Sequence, residues 1–249
     1  GMKDANLVAY THLIPAGTTT LKMRLAPSLD LLDRMVFDNF RYRGIKGAIG
    51  DGKMQKILRV NVPSFDQVIF AGRSVQPFAN QTVDHYSDFC AACYISFLAS
   101  VLTKIANDFR MMFAFGQARH TQKDIGSTAI AGKAPNPWRY ERVAGMAENL
   151  YDLPSRVTRI AADCFLERTL NNQSSLNYMF KEAFLLLADM FMDLEEAVKL
   201  TEVSNQTREC KKPKYHTEEA MLKLILKGVP RETAHSIINK RYAKNQKET

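Results

Sequence analysis

The feature that most constrains this chain is helical periodicity held over unusual lengths. From Tyr86, apolar side chains recur at Cys90, Cys93, Phe97, Val101, Ile105, Phe109 and Met112, in steps of three and four. That spacing is one face of an α-helix. Neither glycine nor proline interrupts the run from about Val83 to Phe115, which at about 1.5 Å per residue would reach about 50 Å. A second face runs through Leu176, Phe180, Ala183, Leu187, Met190, Leu194 and Val198. A third uses Leu25, Leu29, Leu32, Val36 and Phe40, with Pro27 kinking or starting it. A fourth stretch, from Pro137 to Thr169, breaks at Pro154. Ordinary globular helices average about 11–12 residues. The expectation is therefore an all-α fold, a bundle of long helices. Its broad faces, rich in Phe and Met, call for further cover by oligomerisation rather than for a narrow coiled-coil seam. Strand patterns are nearly absent, with Ile57–Val62 and Val68–Phe70 at most short strands.

A chain of 249 residues is one large domain, or one domain with an appendage. Its 46% apolar content excludes disorder, and 12 glycines and 9 prolines exclude collagen-like or Pro-rich architectures. Residues 1–200 are expected to form a central helical-bundle domain and residues 201–249 a small helical C-terminal domain. In the latter, Thr217, Glu218 and Glu219 suit a helix N-terminus, Gly228 closes that helix, and Pro230 opens the next. Thr11–Thr20 is expected to open the first helix. Gly44–Gln76 and Arg119–Pro137 read as irregular connections. No uninterrupted apolar run approaches the about 20 residues of a membrane span, and no signal peptide is visible. Gly1 before Met2 reads as the scar of a cleaved tag.

Four cysteines are too few for a disulfide scaffold. Cys90 and Cys93 form a C-x-x-C, but no second pair stands at zinc-ligand spacing, so they are expected to be core-facing thiols. No cofactor or metal is implied. The formal net charge is +8, which invites a nucleic-acid reading. From Arg208 to Thr249, however, eleven Lys and Arg stand against five Asp and Glu, a balance of +6. The basic character belongs mostly to the tail, and nucleic acid is not needed to explain it.

Three places could carry chemistry. Thr11-His12 offers an imidazole near a run of threonines. The segment Gly126-Ser127-Thr128-Ala129-Ile130-Ala131-Gly132-Lys133-Ala134-Pro135-Asn136-Pro137 combines hydroxyls, an ammonium, an amide and a following helix start, which is equipment for a carboxylate or phosphate. It is not a Walker loop. Arg139, Arg142 and Arg168 stand near helix ends, where each could meet an anion or simply a neighbouring Glu141 or Glu167.

Taken in order, "THLIPAGTTTLKMR", "FRYRGIKGAIG", "QTVDHYSDFCAACYISFLASVLTKIANDFRMM", "DIGSTAIAGKAPNPWRYER" and "FLERTLNN" resemble the adenylosuccinate lyases of the fumarase/aspartase superfamily. The resemblance runs from about residue 9 to 243. The segment 126–137 is similar to the superfamily signature G-S-S-x-M-P-x-K-x-N-P, and "TEEAMLKLILKGVPRETAH" is similar to the family's final domain.

What this resemblance implies is a long-helix bundle with a small C-terminal helical domain and a carbon–nitrogen lyase activity in purine biosynthesis. That activity is a β-elimination of fumarate from adenylosuccinate, leaving AMP. Ser127 matches the serine that removes the Cβ proton, and His12 the histidine that protonates the leaving nitrogen. Lys133 and Asn136 match groups that hold the developing dianion, where pre-placed donors act most strongly. Thr11, Gln81, Thr128, Arg142 and Arg168 align with substrate contacts. The resemblance also implies a small anionic substrate, a cytoplasmic homotetramer with shared active sites, and neither nucleic acid nor membrane as partner.

The departures are specific. Met-Pro of the signature is Ile130-Ala131, with one extra residue between Lys133 and Asn136. Where the family grips a nucleotide phosphate, this chain has Asn171, Asn172, Gln173 and Leu176. A lost arginine contact there is worth about 1.5–3 kcal/mol. Family chains are nearly twice as long, and the N-terminal domain is missing from this one. The alternatives are a catalytically incomplete homologue serving as an oligomeric scaffold or joined by a partner chain, a fumarate-releasing lyase with another substrate, and a basic helical nucleic-acid binder.

Overall fold

In a computed structural model the described residues are 2–35, 41–71, 73–121 and 135–243. They form an all-α protein whose sheets are limited to two two-stranded ribbons. The chain divides into two compact units. One comprises residues 1–27, 111–135 and 200–249, and the other residues 28–110 and 136–199.

The first unit begins with a hairpin, β1 (Asn6–Thr11) and β2 (Ile14–Thr20), antiparallel with a bulge at Ala9/Tyr10. This corrects the expectation that Thr11–Thr20 opens a helix. Thr18, Thr19 and Thr20 are β-branched and pair with Val8, Leu7 and Asn6, where such side chains pack well. Helix α1 (Leu21–Arg34) starts only afterwards and carries Pro27 inside it. The division between the units falls at Pro27. Val36 and Phe40 of the expected α1 face lie outside the described residues.

Gln117 ties the separated segments of this unit together. It is 1% exposed. Its Nε2 donates to the Val8 carbonyl (2.9 Å) and to Gln206 Oε1 (3.0 Å). Its Oε1 accepts from Arg24 Nη1 (2.7 Å), while Arg24 Nη2 donates to the same Val8 carbonyl (2.8 Å). Strand β3 (Ala118–His120) pairs with β4 (Thr201–Val203), followed by α8 (Thr207–Cys210). The Tyr215 hydroxyl donates to Glu209 (2.9 Å). Burial first, then that bond, pushes Tyr215 up to about 12. The stability tied to its neutral phenol holds below the ordinary value and is lost as pH rises through about 12. Helices α9 (Thr217–Leu226) and α10 (Arg231–Ala243) follow, separated by Gly228 at φ +88° and by Pro230, as expected.

The second unit holds the long helices. In α4 (Tyr86–Ala114) the buried stripe is Ala92, Ile95, Ala99, Leu102, Ala106 and Phe109. The expected face is right from Val101 onward. Nearer the N-terminus Tyr86 and Phe97 are exposed, and small alanines take the inner positions. Cys90 and Cys93 are half-buried rather than core. Burial pushes the Cys93 thiol up, so it stays neutral. By length and composition α4 is apolar enough to cross a membrane, with mean hydropathy 1.7 over 18 residues. Core helices of soluble proteins have the same length and composition, so this does not overturn the expectation that nothing crosses a bilayer.

Helix α7 (Leu170–Lys199) buries Asn172, Leu176, Met179, Ala183, Leu187, Met190, Leu194 and Ala197. Helix α5 (Trp138–Ala147) packs on it, and so does α6 (Leu153–Ala162), with Pro154 in the first turn of α6. Phe109 stacks on the fully buried Tyr140 at 5.0 Å. The expected strands are not found: Ile57–Val62 is mostly the turn between α2 (Lys53–Ile57) and α3 (Val62–Ile69), and Val68–Phe70 is the end of α3. Asn61 caps α3 by accepting from Ser64 N (3.4 Å), and Pro63 sits in its first turn. Gly50, at φ +81°, lies so close to the Ala79 carbonyl that a Cβ would come within 1.6 Å.

Replacing Gln117 by leucine should destabilise the first unit by about 2–4 kcal/mol, because Arg24 Nη1 and Gln206 Oε1 each lose a hydrogen bond and the Val8 carbonyl loses one of its two. Urea unfolding reads this directly. A variant as stable as the wild type would show that the network contributes nothing.

Candidate active site

Five of the residues singled out from sequence, Gln81, Asn136, Arg139, Arg142 and Arg168, stand in the second unit. Helix α7 places Asp193, 6% exposed in its side chain, against α5. Arg139 Nη1 lies 3.0 Å from Asp193 Oδ1, and Arg142 Nη1 lies 3.1 Å from Oδ2, with Asp189 at 3.8 Å from Arg142 Nη2. Arg142 thus has carboxylate partners on α7, not the neighbouring Glu141, which stands 3.9 Å from Arg110. A buried carboxylate between two guanidiniums is a structural ion-pair cluster, in which Asp193 Oδ2 is ion-paired with Arg142 but makes no hydrogen bond. Asn136 stands just before Pro137, the residue that caps the start of α5.

Gln81 and Arg168 are exposed, and their chain neighbours meet at one cleft of about 570 Å³. Asn80, Thr82, Asp84, His85 and Tyr86 form one wall, and Val157, Thr158, Cys164 and Glu167 the other. Asn80 Nδ2 donates across to the Leu166 carbonyl (3.4 Å). Among the described residues Arg168 has no ion-pair partner, so its guanidinium is available to an anion.

The start of α4 supplies a group that sequence reasoning missed. His85 Nδ1 lies 2.9 Å from Asp88 Oδ2, and the two side chains are 13% and 28% exposed. Asp84 Oδ1 accepts from the Tyr86 amide (2.9 Å), and its Oδ2 accepts from Gln76 Nε2. The signal was the H-x-x-D spacing at a helix start, which puts both side chains on one turn. It was hidden inside the apolar run that follows.

Thr11 and His12 belong to the first unit, at the hairpin tip. His12 has φ 51° and Leu13 φ 62°, both exposed. Two adjacent non-glycine residues in the left-handed region are strained, about 1–3 kcal/mol each. Ser127, Thr128 and Lys133 lie outside the described residues.

At the positions aligned with the phosphate grip, Leu176 is buried at 5% exposure. Asn172, 4% exposed, donates through Nδ2 to the Ile160 carbonyl (2.9 Å) and accepts from Thr169 (2.6 Å). Gln173 donates to Asn177 (2.9 Å). These side chains serve packing and local hydrogen bonds.

Fold and sequence together define a long-helix bundle of the fumarase/aspartase type. Within that class the chain is related to the adenylosuccinate lyases. It is 28% identical over 218 residues to adenylosuccinate lyase of Caenorhabditis briggsae, covering 82% of this chain and 45% of that protein. The Saccharomyces cerevisiae enzyme is 27% identical over 257 residues, covering 95% of this chain and 53% of its own. The Pyrococcus abyssi enzyme is 26% identical over 272 residues, covering 98% and 57%. The chain therefore spans about half the length of the curated relatives it matches. No family model matches it.

Replacing Asp193 by alanine should cost about 3–5 kcal/mol, because two guanidiniums lose their buried partner. Thermal unfolding of the variant would show it, and an unchanged midpoint would return Arg142 to the list of free cations.

Proposed function

We propose that this chain is an adenylosuccinate lyase-like carbon–nitrogen lyase that releases fumarate by β-elimination from a succinylated amine, the adenylosuccinate-to-AMP step being the prime case. The observation that carries this is kinship with adenylosuccinate lyases over 82–98% of the chain. The cleft bordered by the neighbours of Gln81 and Arg168 adds support. In the proposed reaction Ser127 takes the Cβ proton. Lys133 and Asn136 hold the carboxylate on which charge grows, and the resemblance gives protonation of the leaving nitrogen to His12. Thr11, Gln81, Thr128, Arg142 and Arg168 would contact the substrate. Arg142 would have to do so while paired with Asp189 and Asp193.

Fumarate release from adenylosuccinate by the purified chain is the test. Absence of turnover would sink the reading as an autonomous activity. Within it, Ser127→Ala should lower kcat by about 10²–10⁴-fold with the assembly intact. An unchanged kcat would refute that role.

A homo-oligomer, in the proposed case a cytoplasmic tetramer, is supported by the uncovered side of α7. Tyr178, Leu185 and Met192 recur every seven residues at 79%, 61% and 68% exposure, flanked by Phe184 and Phe191. Such a stripe needs a partner. Leu185→Glu should convert the oligomer to smaller species by light scattering, and an unshifted mass would exclude this face. The second reading, a catalytically incomplete scaffold, is favoured by the pairing of Arg142 with Asp193. Restored turnover on adding a separate chain bearing the relatives' remaining half would select it.

A further inference from the structure

We propose that a second cavity of the second unit, walled by the loop 44–52, α2, α3 and residues 73–77, binds a small phosphorylated sugar. It lies apart from the lyase reading and does not depend on it. The cavity holds about 770 Å³, within the range of small-molecule sites. Its walls are pinned by the protein itself. The Lys46 carbonyl accepts from the Gly52 amide (2.9 Å), which closes the loop, and Asp66 Oδ1 accepts from the Ile45 amide (2.9 Å). Gly44, at φ +73°, lets the loop pass so near Asp66 that a Cβ would come within 2.5 Å of Oδ2. Across the cavity, the Tyr42 carbonyl accepts from the Gln76 amide (2.8 Å), and the Tyr42 hydroxyl accepts from Arg73 Nη1 (2.8 Å).

Two groups in these walls lack a partner that their burial calls for. The side chain of Lys46 is 13% exposed, and its carboxylate partner, Asp66, stands 3.9 Å away. That is a Coulombic contact but too long for a hydrogen bond. A nearly buried ammonium with three hydrogens to give is suited to an anion that comes closer. Gln76, 3% exposed, donates through Nε2 to Asp84, while no protein group donates to its Oε1. Asp84 lines the 570 Å³ cleft and not this cavity, whereas Gln76 lines both. The amide thus gives its nitrogen to the cleft side, and its oxygen remains for a donor from the other.

An anion for Lys46 and a hydroxyl for Gln76 are the two ends of a sugar phosphate. Lys56 and Arg73 line the cavity with Lys46, and neither has an ion-pair partner among the described residues. Three cations suit a phosphate dianion, with Arg73 able to meet two of its oxygens. Asp51 and Gln76 Oε1 accept from the hydroxyls. Asp51 and Asp66 also set the selectivity. Both line the cavity, so a ligand charged at one end fits, and a dicarboxylate would set its second charge against a carboxylate.

Calorimetric titration of the full chain with ribose 5-phosphate, and in parallel with inorganic phosphate, tests this. Ribose 5-phosphate should bind saturably and about tenfold or more tightly than inorganic phosphate. Lys56→Ala, a change at an exposed position, should weaken it about tenfold, and Lys46→Met should weaken it more. Gln76→Met should weaken ribose 5-phosphate about fivefold and leave inorganic phosphate within about twofold. Circular dichroism checks the fold of each variant. Arg168→Ala, at the border of the 570 Å³ cleft, should leave the affinity within about twofold. No saturable binding by about 10 mM ligand overturns the proposal. So does equal affinity for the two ligands, which would mean a general anion site only, and so does binding that Lys56→Ala leaves unchanged. Loss of binding in Arg168→Ala also overturns it, because the sugar phosphate would then sit in the cleft. None of these results bears on fumarate release, so failure here is distinct from failure of the lyase reading.

Discussion

A helix of 30 residues has more apolar side than one neighbour can cover, and the second unit is organised around that constraint. Helix α7 buries one stripe from Asn172 to Ala197 against shorter helices, α5 and α6. At about 1.5 Å per residue it runs about 45 Å, whereas α5 and α6 have 10 residues each. Two consequences follow. The side away from them keeps Tyr178, Leu185 and Met192 in solvent. Where α6 ends and α7 has yet to begin, the chain from Cys164 to Arg168 passes the start of α4, and the cleft forms there. The cleft and the uncovered stripe thus share one cause, the mismatch in helix length.

A different device holds the first unit. Its three segments are far apart in sequence, and its cluster of buried apolar side chains around Val8, Cys210 and Tyr215 is small. Polar groups do the joining. Three hydrogen bonds join the Gln117 amide to Val8, Gln206 and Arg24. A buried amide bonded to three separated segments specifies one arrangement, since a shift weakens several bonds at once. The same economy is visible at Asp193, where one carboxylate fixes α7 against two arginines of α5.

Long helices were legible from sequence because their signal is redundant. Six or more apolar positions must agree before a face is seen, and one exposed residue such as Phe97 does not spoil it. Short elements lack that redundancy. Leu7, Val8 and Thr18–Thr20 pair through backbone groups whose partners lie across a turn, and nothing local announces His12-Leu13 as that turn. It lacks the glycine or asparagine such turns favour. Ile57–Val62 misled for a related reason: a few apolar residues, Ile57, Leu58, Val60 and Val62, fit either period, and the deciding signals were Asn61 and Pro63. Of the candidate site, Gln81 and Arg168 were found by resemblance. The His85–Asp88 pair was not, because pairing needs the geometry of one helical turn and not merely the residue types.

Position 176 shows how packing and chemistry exclude one another. The stripe that makes α7 a core helix passes through Leu176, 5% exposed, between Asn172 and Met179. An arginine there would have to be buried without a partner, at several kcal/mol, or would pull the stripe out of register with α5 and α6. The leucine is therefore a commitment of this turn to the bundle. Its polar neighbours Asn171, Gln173 and Asn177 carry no charge, and Gln173 and Asn177 are bonded to each other. A phosphate held by α7 would find amides but no cation. The exposed Arg168, two residues ahead of the first residue of α7, is the cation that an anionic substrate end could reach from the same stretch of chain.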